Sequence, residues 1–109
     1  MADLRTLDRR LYPLASAFVQ WAQAGGHRVT VTSARRSRAK QARLYRAWLR
    51  GESRIPALPP GRSLHERGLA WDMVGDDLPM LGRAWESLGG QWGGRSKLGY
   101  DPVHFQLRL

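Results

Sequence analysis

Glycine stops at Gly25-Gly26, Gly51 and Gly89-Gly90 cut this chain into short segments, and the hydrophobic period changes from one segment to the next. That combination restricts the fold more than any other feature, because it demands short helices and short strands packed together. Before the first stop, Leu4, Leu7, Leu11, Leu14, Phe18 and Trp21 recur at steps of three and four, which is one face of an amphipathic helix. Pro13 interrupts that face, so the pattern predicts either a kink or a fresh helix starting near Leu11 to Pro13. After it, "HRVTVTSA" alternates Val29 and Val31 against polar neighbours and predicts a strand. Ser37 is placed to cap a helix over 38–50, with Leu44, Ala47 and Trp48 turned inward and Gly51 as its stop.

Residues 51–62, "GESRIPALPPGR", carry three prolines and two glycines and predict a loop. "GLAWDMV" predicts a buried strand. Asp76 or Asp77 then caps a helix over 77–89 whose inner face is Leu78, Leu81, Trp85 and Leu88. "QWGG" reads as a short strand, "GRSKLGY" as a turn-rich loop and "VHFQL" as a final strand. Interleaved helices and short strands give an α+β fold: a small, largely antiparallel sheet with helices packed on it.

With 109 residues the expectation is one domain spanning 1–109. The absence of cysteine removes disulfides and Cys-based zinc sites, so any transition-metal site must use His and carboxylates. The net charge of +9 points to a polyanionic partner or neighbourhood: nucleic acid, an anionic membrane surface or a bacterial wall. No apolar run is long enough to span a membrane. The N-terminal segment, with Asp3 and Asp8 and spaced apolar positions, does not read as a secretion signal.

Two of the three histidines stand near aspartates, in "SLHERGLAWDM" and "DPVHFQL". If the two stretches meet, His65, Asp72 and His104 supply two imidazoles and a carboxylate, which leaves a fourth zinc position for water, the pattern of a catalytic site. Zinc lowers the pKa of water to about 7. Asp101 is then a candidate proton acceptor and Arg36 a candidate for holding substrate or the developing oxyanion. Spacing alone leaves the plainer alternative open, that these histidines are surface or satisfied core residues. His27 is read only as a residue at the entry of a strand.

"SLHERGLAWD" resembles the Ser-x-His-x-x-Gly-x-Ala-x-Asp signature of the zinc D-Ala-D-Ala carboxypeptidase and L-Ala-D-Glu endopeptidase family, peptidoglycan peptidases that include many phage endolysins. Ser63, His65, Gly68, Ala70 and Asp72 all match. "DPVHF" resembles the family's second signature, an acid three residues before a His, and "VTSARRSRAKQARLY" its upstream block. "PPGRSLH" and "QWGG" fit as well, and the likeness runs from about Leu11 to Leu107.

The resemblance implies the hedgehog/DD-peptidase fold, with Zn2+ on His65, Asp72 and His104 and Asp101 as general base and later acid. It implies Arg36 on a substrate carbonyl or carboxylate, Ser63 positioning substrate and Gln41 near that arginine. It also implies bacterial peptidoglycan stem peptides as substrate. Small Gly68 and Ala70 are expected to let a strand carrying both ligands pass close to its neighbours. The chain departs from the pattern in places. Ala34-Arg35 replaces a usual Gly-Tyr, so Arg35 competes with Arg36 for the substrate role. Trp71 replaces a smaller residue and is expected to point away from Asp72. Gln106 replaces a frequent Glu. Asp rather than Glu at 101 is closer to the endopeptidase branch.

Among the tryptophans, Trp21, Trp48 and Trp85 fall at helical core spacing, whereas Trp92, beside glycines, is the candidate for lining a substrate groove. The +9 charge is expected to attract anionic cell-wall polymers. With a wall substrate and no leader, the expected setting is cytoplasmic synthesis followed by phage-mediated release, or carriage in a virion. Two other readings stand beside this one. A virion or structural component that keeps the fold without activity has the same sequence features. A nucleic-acid-binding module is suggested by the run from Arg35 to Arg50, although no nucleic-acid motif accompanies it.

Overall fold

The computed structural model describes residues 1–95 and 100–109. It is α+β, with elements in the order α1 (Tyr12–Ala24), β1 (Val29–Ser33), α2 (Arg38–Leu49), β2 (Ala70–Gly75), α3 (Leu78–Ser87), β3 (Gln91–Trp92) and β4 (His104–Gln106). Short 3-10 turns cover Leu4–Thr6, Leu64–Arg67 and Gly93–Arg95. The four strands form one antiparallel sheet in the order β1-β2-β4-β3. The part of the "GRSKLGY" loop at 96–99 lies outside the described residues.

Alternation along the strands gives the sheet two different faces. Val31, Trp71, Met73 and Phe105 point into the core, while Asp72, His104 and Gln106 point to the other face. The core is aromatic: Trp71 stacks on Phe105 with centroids 5.2 Å apart and meets Trp85 edge-on at 4.9 Å. Two indoles brace β4 and the turn that leads into it. Trp85 Nε1 donates to the Gln106 carbonyl at 2.9 Å, and Trp92 Nε1 donates to the Pro102 carbonyl at 2.8 Å. Gly82 of α3 lies flat on the Trp92 indole, where a Cβ would overlap the ring.

Of the two expectations for Pro13, the structure shows the fresh helix, which starts at Tyr12 with Pro13 in its first turn. Several other sequence expectations need revision. The buried stripe of α1 is Ala15, Phe18, Val19 and Ala22, and Leu14 and Trp21 are exposed, Trp21 by 53%. The inner face therefore runs through Ala15, Phe18 and Ala22 and leaves Leu14 and Trp21 at its edge. Trp48 is only half-buried, because α2 stands over the 51–62 loop and buries Gln41 alone. Trp85 is core, but Leu88 caps α3 and is 71% exposed. Asp77 occupies the N-cap position of α3 without a side-chain capping bond; its carboxylate lies 3.4 Å from His27 Nδ1 instead. Ser37 caps α2 through Lys40 N, as its position predicts.

Candidate active site

Strand register assembles the site. Asp72 pairs across β2–β4 with His104 and across β1–β2 with Ser33, next to a register shift between Val31 and Ser33. His65 arrives from outside the sheet, on the Leu64–Arg67 turn rather than on a strand. Ser63 caps that turn, accepting from His65 N at 3.2 Å, and Glu66 closes a capping box. Gly68 ends it in the left-handed conformation at φ 71°, where a Cβ would also meet Asp8 N and the Arg35 guanidinium. The role of Gly68 is therefore to end a turn and admit a close neighbour. The strand begins only at Ala70.

One donor atom each from His65, Asp72 and His104 falls within 4.8 Å of the others. Asp72 Oδ1 lies 3.0 Å from His65 Nε2 and 3.6 Å from His104 Nδ1, and the two ring nitrogens are 3.3 Å apart. The far nitrogen of each ring is already engaged. His65 Nδ1 donates to the Ala34 carbonyl at 3.0 Å, and His104 Nε2 donates to Gln106 Oε1 at 2.7 Å. A carbonyl oxygen only accepts, so these bonds put the proton on the far nitrogen and leave two lone pairs facing inward.

Asp72 Oδ1 is buried and no N–H is aimed at it. Three electron-pair donors thus face one another, and something positive, a proton or a metal ion, must sit among them. The chemistry of the donor set fits a divalent metal: two imidazole nitrogens and a carboxylate oxygen, with oriented outer partners. Burial by itself would raise the Asp72 pKa, but the two imidazoles beside it hold the carboxyl well below the usual range. Burial works against a charged His104, and Asp72 outweighs it, so the pKa of His104 is raised.

Around this trio the other sequence candidates fall into two groups. Arg36, not Arg35, faces the site. Its Nη2 donates to Asp72 Oδ2 at 3.0 Å and to Ser33 Oγ at 3.3 Å, and its Nη1 donates to Gln41 Oε1 at 2.9 Å. Arg35 turns away onto the Thr6 and Arg67 carbonyls. Gln41 is buried and also donates to the Leu58 carbonyl at 2.8 Å, so it fixes Arg36 against the 51–62 loop. Arg36, Gln41 and Ser63 therefore hold Asp72 and His65 in position, Gln41 by way of Arg36. Trp92 borders the cleft but is buried, with its indole N–H spent on Pro102, so it forms wall and core rather than an open sugar or peptide platform.

Asp101 sits in a tight turn, its carbonyl accepting from His104 N at 3.2 Å and its own N–H donating to the Gly93 carbonyl at 3.1 Å. A Cβ on Gly93 would strike the Asp101 carbonyl and His104, so only glycine lets that turn close. Asp101 Oδ1 is buried with no hydrogen-bond partner, and burial together with the nearby Asp72 carboxylate raises its pKa. Asp101 and the trio share one cleft of about 640 Å³, lined also by Ile55, Pro56, Leu58, Gln91, Arg95 and Arg108.

Gln106 is the residue whose part sequence reasoning undervalued. It stands where a Glu is frequent, and it orients His104 by its side-chain oxygen without adding charge. Its alternation with His104 on β4 is the signal that places it there. Gln106→Leu is expected to keep the fold and lower metal affinity by about 10–100-fold, the usual cost of losing such an outer partner. Competition against a fluorescent zinc chelator measures it, and an unchanged affinity would show that His104 is held by other means.

Residues 4–93 match the family described as VanY: D-alanyl-D-alanine carboxypeptidase, and the chain belongs to that family. Solved structures agree. The L-Ala D-Glu endopeptidase ChiX of Serratia marcescens is 26% identical with a TM-score of 0.69, over 96% of this chain and 83% of that one. The vancomycin-resistance D,D-pentapeptidase VanY, solved as a mutant with Zn(II), is 20% identical with a TM-score of 0.73, over 93% of this chain and 72% of that one. The LD-carboxypeptidase LdcB is 21% identical with a TM-score of 0.72, over 93% of this chain and 65% of that one. The latter two share the fold. No curated protein matches this chain.

Proposed function

We propose that this protein is a zinc-dependent peptidase that hydrolyses an amide bond in the stem peptides of bacterial peptidoglycan. The observation that carries the reading is the inward-facing trio His65, Asp72 and His104, with the buried Asp101 Oδ1, which has no hydrogen-bond partner among the described residues, in the same cleft. Family membership supports the substrate class. So does the likeness to ChiX, which with the Asp at 101 favours the L-Ala–D-Glu bond over D-Ala-D-Ala.

His65, Asp72 and His104 would hold the zinc, which supplies Lewis acidity and water of lowered pKa. The remaining work belongs to side chains of this protein. Asp101 takes the proton of the attacking water and returns it to the leaving amine. Arg36 neutralises and orients Asp72, and it borders the cleft where the oxyanion develops. The Ala34 carbonyl and Gln106 keep both imidazoles in the tautomer that points a lone pair inward. Ile55, Pro56 and Leu58 give the cleft an apolar stretch against which a peptide backbone can lie.

Among the described residues no helix is long and apolar enough to cross a membrane. Action on the wall after phage-mediated release, or from a virion, belongs to this proposal and rests on the wall substrate.

Digestion of purified peptidoglycan by the zinc-loaded protein, read by mass spectrometry against a chelated control, tests the reading. Fragments separated between L-Ala and D-Glu are the expected product. Free D-Ala would reassign the bond. No cleavage by folded, metal-loaded protein would sink the enzymatic reading in favour of a silent component with this fold.

A further inference from the structure

The helix that holds Gln41 against the site carries a second feature that the active site does not use. Gln41 and Leu44 face the cleft. Arg43, Arg46 and Arg50 follow at steps of three and four, on the opposite side of the same helix, and all three are exposed. No Asp or Glu occurs anywhere from residue 28 to residue 51. Among the described residues Arg43 and Arg46 make no ion pair, and Arg50 meets only the exposed Glu52.

For stability alone this is a poor arrangement. Like charges one turn apart on a helix repel each other. Arg38 and Lys40 stand in the first turn, which has no acid and where the helix dipole disfavours cations. α2 also buries only one residue, so packing offers little compensation. A row of exposed guanidiniums, only the last of which meets an acid, on a thinly anchored helix becomes favourable when a polyanion lies along it.

We infer that the outer face of α2, through Arg43, Arg46 and Arg50, docks an anionic phosphodiester polymer of the cell wall. The inference rests on the proposed wall substrate. The stripe faces away from the cleft, so a polymer held there leaves the cleft open, and the same molecule can cut while tethered. Among the described residues no aromatic ring lies exposed along the stripe to stack on bases, which favours a wall polymer over single-stranded nucleic acid.

The test compares the wild-type protein with a variant carrying Arg43→Gln, Arg46→Gln and Arg50→Gln. Glutamine keeps helix propensity, and circular dichroism checks the fold. The probes are a soluble glycerol-phosphate polymer and, separately, duplex DNA, each titrated at several salt concentrations. Wild type is expected to bind the polymer with steep salt dependence. The variant is expected to lose at least about ten-fold in affinity and to flatten the log–log salt slope by about two to three, near one for each phosphate that goes unneutralised. An Arg→Lys triple variant should recover most of the binding, because charge is the requirement.

Hydrolysis of a small soluble muropeptide should be unchanged, while release from intact walls falls. Equal polymer affinity in wild type and glutamine variant would overturn the assignment. Tighter binding to duplex DNA than to the polymer at matched salt would overturn it in favour of a nucleic-acid partner. Loss of muropeptide hydrolysis with binding intact would count against the proposed peptidase activity and leave the docking surface standing.

Discussion

Asp101→Asn is expected to lower turnover on peptidoglycan by about 10²–10⁴-fold while metal content stays at the wild-type level. The substitution keeps the shape of the side chain and removes only its basicity. It leaves the backbone bonds that build the turn, from His104 N to the Asp101 carbonyl and from Asp101 N to the Gly93 carbonyl. Asp101 is not one of the three convergent donors, so the metal has no reason to leave. What disappears is a buried carboxylate oxygen with no bond partner of its own, the atom free to take a proton in this cleft. Metal analysis and kcat measured on the same preparation decide the matter. Loss of metal together with activity would make Asp101 a structural partner of His104, and a near-normal rate would place the base elsewhere.

The site was more legible in the sequence than the packing around it. His65, Asp72 and His104 were legible as a set through the resemblance of "SLHERGLAWD" and "DPVHF" to the family signatures, since residue type and spacing alone also fitted surface or core histidines. Their outer partners are harder to see. Ala34 contributes a backbone carbonyl, which any residue would carry, and its nearness to His65 depends on how the turn at Leu64–Arg67 lies against the end of β1. Gln106 was visible only as a missing charge, since a side-chain oxygen that accepts from His104 Nε2 does not depend on whether the group is an acid or an amide.

Element types were readable from the change of hydrophobic period, and the helix over 38–50 begins where Ser37 predicts. Which face of a helix turns inward was not readable where small residues compete with large ones. On α1, Ala15 and Ala22 share the buried face with Phe18 and Val19, while Trp21 lies outside it. On α2 the apolar positions cover a proline-rich loop rather than the sheet, and no periodicity distinguishes those two partners.

His104→Ala is expected to abolish both hydrolysis and the stabilisation that zinc confers. A ligand that binds only the folded chain adds about 4 kcal/mol at a thousand times its dissociation constant. In a domain of this size that raises Tm on the order of 15–30 °C. The plainer reading of this histidine, a satisfied residue at the sheet surface, predicts something different. His104 pairs across the sheet with Asp72 and donates to Gln106. If that were its whole purpose, alanine would lower Tm by the same amount with and without zinc.

If His104 is a ligand, the loss is concentrated in the zinc-loaded protein. In metal-free protein the change is smaller, because the inward-facing lone pairs there are a cost that alanine removes. The informative quantity is therefore the difference of two differences: the zinc-induced rise in Tm of wild type, less that of the variant. His65→Ala should give the same result from the other element, since His65 reaches Asp72 from a turn and not from the sheet. A large difference in both variants requires the two histidines to share one ion across two separate parts of the fold. A zinc-induced rise retained in either variant would break up the trio, and with it the argument that places the chemistry between β2 and β4.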